Sequence, residues 1–187
     1  GYLLMSHADS SENAVAAVLV PIDFEPPARA ALVFAARLAT SAGMPLKILH
    51  AVHEPADRPN YYHRSGTGEA SWPMELLAER RLEAFLAEVY AENPALRILE
   101  KADVLLVKGL PLTRILECVE HHAVAQIVMG HARARGVLPS LFSSLSDRVA
   151  DKCDVPVTAI HAGGSSEAAV IPPRELLDGN GNVALGT

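Results

Sequence analysis

Residues 125–161, AQIVMGHARARGVLPSLFSSLSDRVADKCDVPVTAIH, hold anion-binding groups in a suggestive order. An apolar run, Ile127-Val128-Met129, stops at Gly130. His131, Arg133, Arg135 and Gly136 follow, and Ser143-Ser144 stand just ahead of a helix-like segment. A strand ending in glycine, a glycine-bearing loop and hydroxyls at a helix start form a layout that can hold a phosphate. The arginines bring planar guanidinium donors that suit phosphate, and each serine adds a hydroxyl donor. His131 stands where it can touch a phosphate; its plainer reading is a solvated loop histidine. A second acidic signal lies far upstream, where Asp23 closes the apolar run Ala17–Ile22.

Other chemistry lacks its motifs. There is no HExxH and no CxxC, so no metal site is expected from protein side chains. His50 and His53 are three apart and diverge in a strand. No GxSxG elbow and no GxxxxGK[ST] loop occur, so no catalytic residue is expected. Cys118 and Cys153 are far apart and read as free thiols.

The elements that must position these groups alternate. Ala17–Ile22 is nearly all apolar, as a strand covered on both faces should be. Pro26-Pro27 open a helix through Ala42, apolar at helical spacing and ended by Gly43. Leu46–Val52 is a second strand. Residues 53–71, with Pro, Gly and charge, read as a long loop bracketed by Tyr61, Tyr62 and Trp72. The loop either folds over a cleft or lies on the surface. A helix follows from Ser71 to Asn93, then a strand over 102–107, starting as early as Arg97. Next come a helix from 111 to 122, a strand over 125–129, a helix from 143 to 153 and a strand over 155–160. This βαβαβαβαβ order predicts a doubly wound α/β domain, a parallel sheet with helices on both faces. Ligands of such sheets bind beyond the strand carboxyl ends, at the switch in strand order.

The chain has 187 residues and a net charge of -6, with a pI near 5.7. An acidic chain without a basic stripe suits neither nucleic acid nor an anionic membrane. No stretch reaches the ~18 apolar residues of a membrane span. Residues 1–15 have neither the basic start nor the apolar run of a secretory signal and read as a flexible segment. Residues 16–161 form the predicted domain. Residues 162–187 read as a Gly/Ser linker and a loosely ordered tail. Val155–Ile160 would leave an apolar sheet edge that needs protection, by a second copy or by the tail.

From Ala16 to His161 the chain resembles the universal stress protein family. The resemblance rests on VLVPIDFEPPARAAL, LKILHAVHEP, VKGLP, IVMGHARARG, SSLSDRV and CDVPVTAI in that order. It implies a flavodoxin-like, Rossmann-like five-stranded parallel sheet, order 3-2-1-4-5. It also implies a homodimer, with Val155–Ile160 as the expected interface, while the free thiols suit a reducing, cytoplasmic location. Nucleotide binders of the family look like G-x2-G-x9-G-S/T. Laid on this chain, that pattern falls on Gly130, Arg133, Ser143 and Ser144, so one glycine of three remains. The resemblance places Asp23 at the adenosine end, where its other reading is a helix cap. It places Val52 where backbone meets adenine, where its other reading is a core valine.

Three functions follow as expectations. The first is a stress-response protein binding ATP or another adenine nucleotide as a regulatory ligand, with Mg²⁺ arriving on the nucleotide and at most slow hydrolysis. The second is a protein-interaction module of the same fold without nucleotide. The third is a flavin- or nucleotide-using enzyme. Its phosphate loop would be Asp23–Pro27, where acids repel phosphate and prolines lack N–H donors.

Overall fold

A computed structural model of the chain describes residues 15–56, 58–63, 72–131, 144–161 and 168–171. Its strands are β1 (Ala17–Pro21), β2 (Leu46–Val52), β3 (Asp103–Lys108), β4 (Val124–His131), β5 (Val157–His161) and β6 (Ala168–Ile171). Its helices are α1 (Pro26–Ala42), α2 (Met74–Glu92), α3 (Pro111–His121) and α4 (Leu145–Lys152). The sheet order is β3-β2-β1-β4-β5-β6. The first five strands run parallel in the predicted order. The sixth is an addition: Ala168–Ile171, within the segment expected to be a loose tail, pairs antiparallel with β5. The outer edge of β5, expected to face a second copy, is therefore occupied by the chain itself.

Two cores flank the sheet. On one face α1 presents Ala28, Ala31, Leu32, Ala35, Ala36 and Ala39, all buried. This alanine-rich stripe lets the helix axis approach the strands closely, and Leu82, Phe85 and Val89 of α2 complete the layer. On the other face Ile115 and Cys118 of α3 and Val149 and Ala150 of α4 meet Leu19, Ile127, Met129 and Val157. Each large buried aliphatic contributes about 1.5–3 kcal/mol of transfer free energy. Gly43 stops α1 in the left-handed region at φ 65°. Its N–H bonds Thr40 O at 3.3 Å, and Met44 N–H bonds Ala39 O at 2.9 Å, which satisfies the last carbonyls. Arg97–Lys101 is a 3₁₀ turn rather than the start of β3.

Candidate functional site

The order 2-1-4 puts the switch point between β1 and β4. Asp23 follows β1, Val52 ends β2, and Gly130 and His131 end β4. Ser144 caps α4. All five therefore belong to the carboxyl end of the sheet. Arg133 and Ser143 lie outside the described residues.

Gly130 is set by contact rather than conformation. A Cβ there would lie 2.6 Å from Ala28 N, 2.6 Å from Pro27 C and 2.9 Å from Pro27 Cβ. The first two are backbone atoms of the first turn of α1. Gly130 lets that turn press onto the end of β4, so a ligand is not needed to explain it. It is not among the described glycines with positive φ.

Asp23 does not cap α1. The N-cap residue is Glu25, and it makes no side-chain cap bond. Instead Asp23 Oδ1 accepts the Glu25 N–H at 3.1 Å in a local turn. Asp23 is exposed, yet protein crowded around the carboxyl desolvates it and raises its pKa, with the Glu25 charge adding to the rise. Its own backbone carbonyl accepts the Tyr61 hydroxyl.

That bond belongs to a larger clasp. Phe24 takes φ 65°, a left-handed conformation that costs an aromatic residue about 1–2 kcal/mol. Its ring packs 4.4 Å from His50, 6.2 Å from Tyr61 and 5.7 Å from Phe85. The Arg81 guanidinium lies 4.7 Å from the Phe24 ring centroid and 4.5 Å from that of Tyr61, and it donates to Tyr61 O. Arg58 pairs with Glu25.

His50, 2% exposed, anchors the clasp. Its Nδ1 is 2.7 Å from Ile22 O, so Nδ1 carries the proton. Nε2 then accepts the Tyr62 hydroxyl at 2.9 Å, and that hydroxyl oxygen accepts His53 N–H at 3.3 Å. Burial lowers the His50 pKa to about 4 and raises those of Tyr61 and Tyr62. The two tyrosines thus pack inward rather than along the surface, with Tyr62 4% exposed. Sequence reasoning missed this network. The available signal was a histidine inside the apolar run LKILHAV, which needs buried partners.

Val52 is core as well as strand end. Its side chain packs with Tyr62, Leu77 and Ala78, and its carbonyl accepts Gly109 N–H at 3.0 Å.

At the β4 end a directed hydrogen-bond chain runs into α4. Ser144 Oγ donates to Asp147 Oδ2 at 2.7 Å and accepts Asp147 N–H at 3.2 Å. Asp147 Oδ2 also accepts Ser144 N–H at 3.0 Å, which closes a capping box. Ser144 has spent its one proton, so Ser146 Oγ, 2.8 Å away, donates to it. Ser146 then accepts from His131 Nδ1 at 2.9 Å. Ser144 is thereby a helix cap first. The His131 ring also meets the ring of His161 at 4.6 Å.

Beside these groups opens a cleft of about 300 Å³ lined by His53, Leu110, Pro111, Leu112, Thr113, Leu145 and Arg148. His53 adjoins Val52, and Leu145 adjoins Ser144. α3 begins here with Pro111 in its first turn and no side-chain cap. Leu110 is 67% exposed at this mouth. Apolar walls with one cation, one hydroxyl and one imidazole suit a ligand with a flat apolar part and an anionic part. The VKGLP segment signalled this helix start in sequence; Arg148 carried no signal.

Cys118 and Cys153 are free and buried. Burial raises both thiols, Cys118 to about 11, so neither is a ready nucleophile. Among the described residues no three His, Cys, Asp or Glu groups gather at metal-binding distance. No helix there is long and apolar enough to cross a membrane.

A model of the universal stress protein family matches residues 15–161. Comparison with curated proteins gives no match. Among solved structures, a universal stress protein in complex with cAMP aligns at TM-score 0.54 and 18% identity, covering 81% of this chain and 100% of that one. A hypothetical protein whose biochemical function was assigned from its structure aligns at 0.53 and 20%, covering 82% and 100%. A universal stress protein from Archaeoglobus fulgidus aligns at 0.51 and 23%, covering 79% of this chain but 45% of that one.

Proposed function

The chain belongs to the universal stress protein family, and on that premise we propose that it is a cytoplasmic, homodimeric stress-response protein with an adenine nucleotide as regulatory ligand. The observation that carries this reading is the cleft beside β2, α3 and α4. Its volume, about 300 Å³, meets the lower end of the range for small-molecule sites. Leu110, Leu112 and Leu145 offer surface to a base. Arg148 and the Thr113 hydroxyl offer donors to phosphate, and the first N–H groups of α3 add to them. The cAMP found on one structural neighbour belongs to that protein; it makes cyclic nucleotides part of the test.

A second reading has its own support. The Ser144 hydroxyl is committed to Asp147, Gly130 is explained by α1, and the clasp covers the β1–α1 turn. On this reading the fold is an interaction module without nucleotide.

A thermal unfolding scan separates them. With ligand at about 100 times Kd the native state gains about 2.7 kcal/mol, which raises the Tm of a chain this size by about 5–10 °C. The nucleotide reading expects that rise with Mg-ATP, AMP or cAMP, a smaller one with GTP, and loss of the rise in Arg148→Ala. No response to any nucleotide at millimolar concentration overturns it and leaves the interaction module.

A further inference from the structure

β5 is buried like a central strand although it is the last of the parallel five. Val157, Thr158, Ala159 and Ile160 are each 0–2% exposed. Between residues 157 and 160 it carries no proline and no charge, the devices that blunt a free edge. Its outer edge is covered by β6 through four antiparallel pairs: Val157↔Ile171, Thr158↔Val170, Ala159↔Ala169 and Ile160↔Ala168. β6 is a four-residue edge strand paired with one neighbour, which puts it toward the low-stability end of the fold.

The register of β6 is one that a second copy's β5 can also take. Two copies of β5 related by a two-fold axis must meet antiparallel, with equivalent faces continuous, so opposed residue numbers sum to an even value. Centred on Ala159, such a pair sets Thr158, Ala159, Ile160 and His161 of the second copy opposite Ile160, Ala159, Thr158 and Val157. In the observed pairing those places are taken by Ala168, Ala169, Val170 and Ile171. Alanine stands opposite Ala159 in both, and a β-branched aliphatic stands opposite Thr158 in both.

We propose that β6 is an intramolecular mask that mimics a second copy's β5, so that this edge docks a second copy of the chain only when β6 leaves it. This rests on the homodimer reading above and is independent of the nucleotide.

The test uses the full chain and sedimentation equilibrium. Ala169→Pro/Val170→Pro removes the one N–H of this adjacent pair that faces β5 and should lower the dimer dissociation constant by at least about tenfold relative to wild type. Thr158→Cys/Val170→Cys, measured oxidised and reduced, holds β6 in place by a bond that can be undone, and position 158 does not face itself in the two-fold pair. The buried, high-pKa Cys118 and Cys153 should stay out of that reaction. Oxidised, it should remain monomeric at every concentration; reduced, it should return to the wild-type equilibrium. The proposal falls if the proline variant associates no more tightly than wild type, or if the oxidised pair dimerises as readily as the reduced one. In the second case the homodimer reading survives; if every form stays monomeric, both fail. Should the proline variant not fold, the oxidised and reduced pair decides alone.

Discussion

Around Asp23 the carboxyl end of the sheet is closed by side chains from several separate segments, whereas around Ser144, among the described residues, one helix turn supplies most of the closure and a cleft lies beside it. The first half draws Phe24, His50, Tyr61, Tyr62 and Arg81 from across the chain. The second half is more local among the described residues: the box closes within Ser144–Asp147, and His131, which bonds Ser146 and meets the His161 ring, joins it from the end of β4. Distant contacts of that kind resist piecemeal change, since removing one member strands a buried polar atom at about 1–3 kcal/mol. Local ones can be traded more cheaply. The contrast sets a closed half beside a half with a cleft, and the ligand proposed above is assigned to the second.

Gly130→Ala tests the junction of the halves and should have the largest effect. Its Cβ meets backbone of α1, so relief requires the helix to shift, and urea unfolding should show a loss of about 3 kcal/mol. A loss under 1 kcal/mol would mean that α1 yields easily and that the glycine serves something else.

The clasp should next reveal itself by pH. The pKa of His50 is 6.5 when unfolded and about 4 when folded. Below 6.5 the unfolded chain takes up the proton first, so the stabilisation is complete above that pH. It drains away as pH falls toward 4 and then levels off. Between pH 7 and 4.5 the loss from this group should be roughly 2–3 kcal/mol. Urea midpoints of wild type and His50→Gln at both pH values would show it; equal slopes would remove His50 as the cause.

Tyr62→Phe deletes one hydroxyl and leaves His50 Nε2 buried without its donor. A loss of about 1–2 kcal/mol is expected, with faster amide exchange confined to the segment around Tyr61 and Tyr62. Uniform acceleration across β2 and α2 would mean that the clasp is not a separate unit.

Ser144→Ala should have the smallest effect, about 1 kcal/mol, from the lost cap. The nucleotide-induced Tm rise should survive, since the hydroxyl is already spent on Asp147. Loss of that rise would place Ser144 on the ligand and blur the division between the halves.

Much of this frame was readable from sequence where local chemistry sets the outcome. α1 and β2 have the predicted bounds because prolines open the helix, Gly43 closes it, and LKILHAV reads as buried strand. That the sheet is parallel followed from alternation; its strand order followed from the family resemblance. Asp23, Val52, Gly130 and Ser144 were correctly placed at element ends. What those ends do was not readable: Gly130 answers to a helix more than 100 residues earlier in the chain, and Tyr62 to a histidine on β2. β6 escaped because AAVI is four residues long and gains its register only from β5.

The position of β6 also has a bearing on biosynthesis. Chains grow from the amino end, so β5 is complete ten residues before the last residue of its cover, an interval of about 0.5–2 s at ordinary elongation rates. Throughout that interval the strand that covers β5 does not yet exist, so the sheet cannot be closed by its own chain before residue 171 is joined. Silent codon changes that slow elongation after His161 would lengthen the interval without altering a single residue of the finished protein.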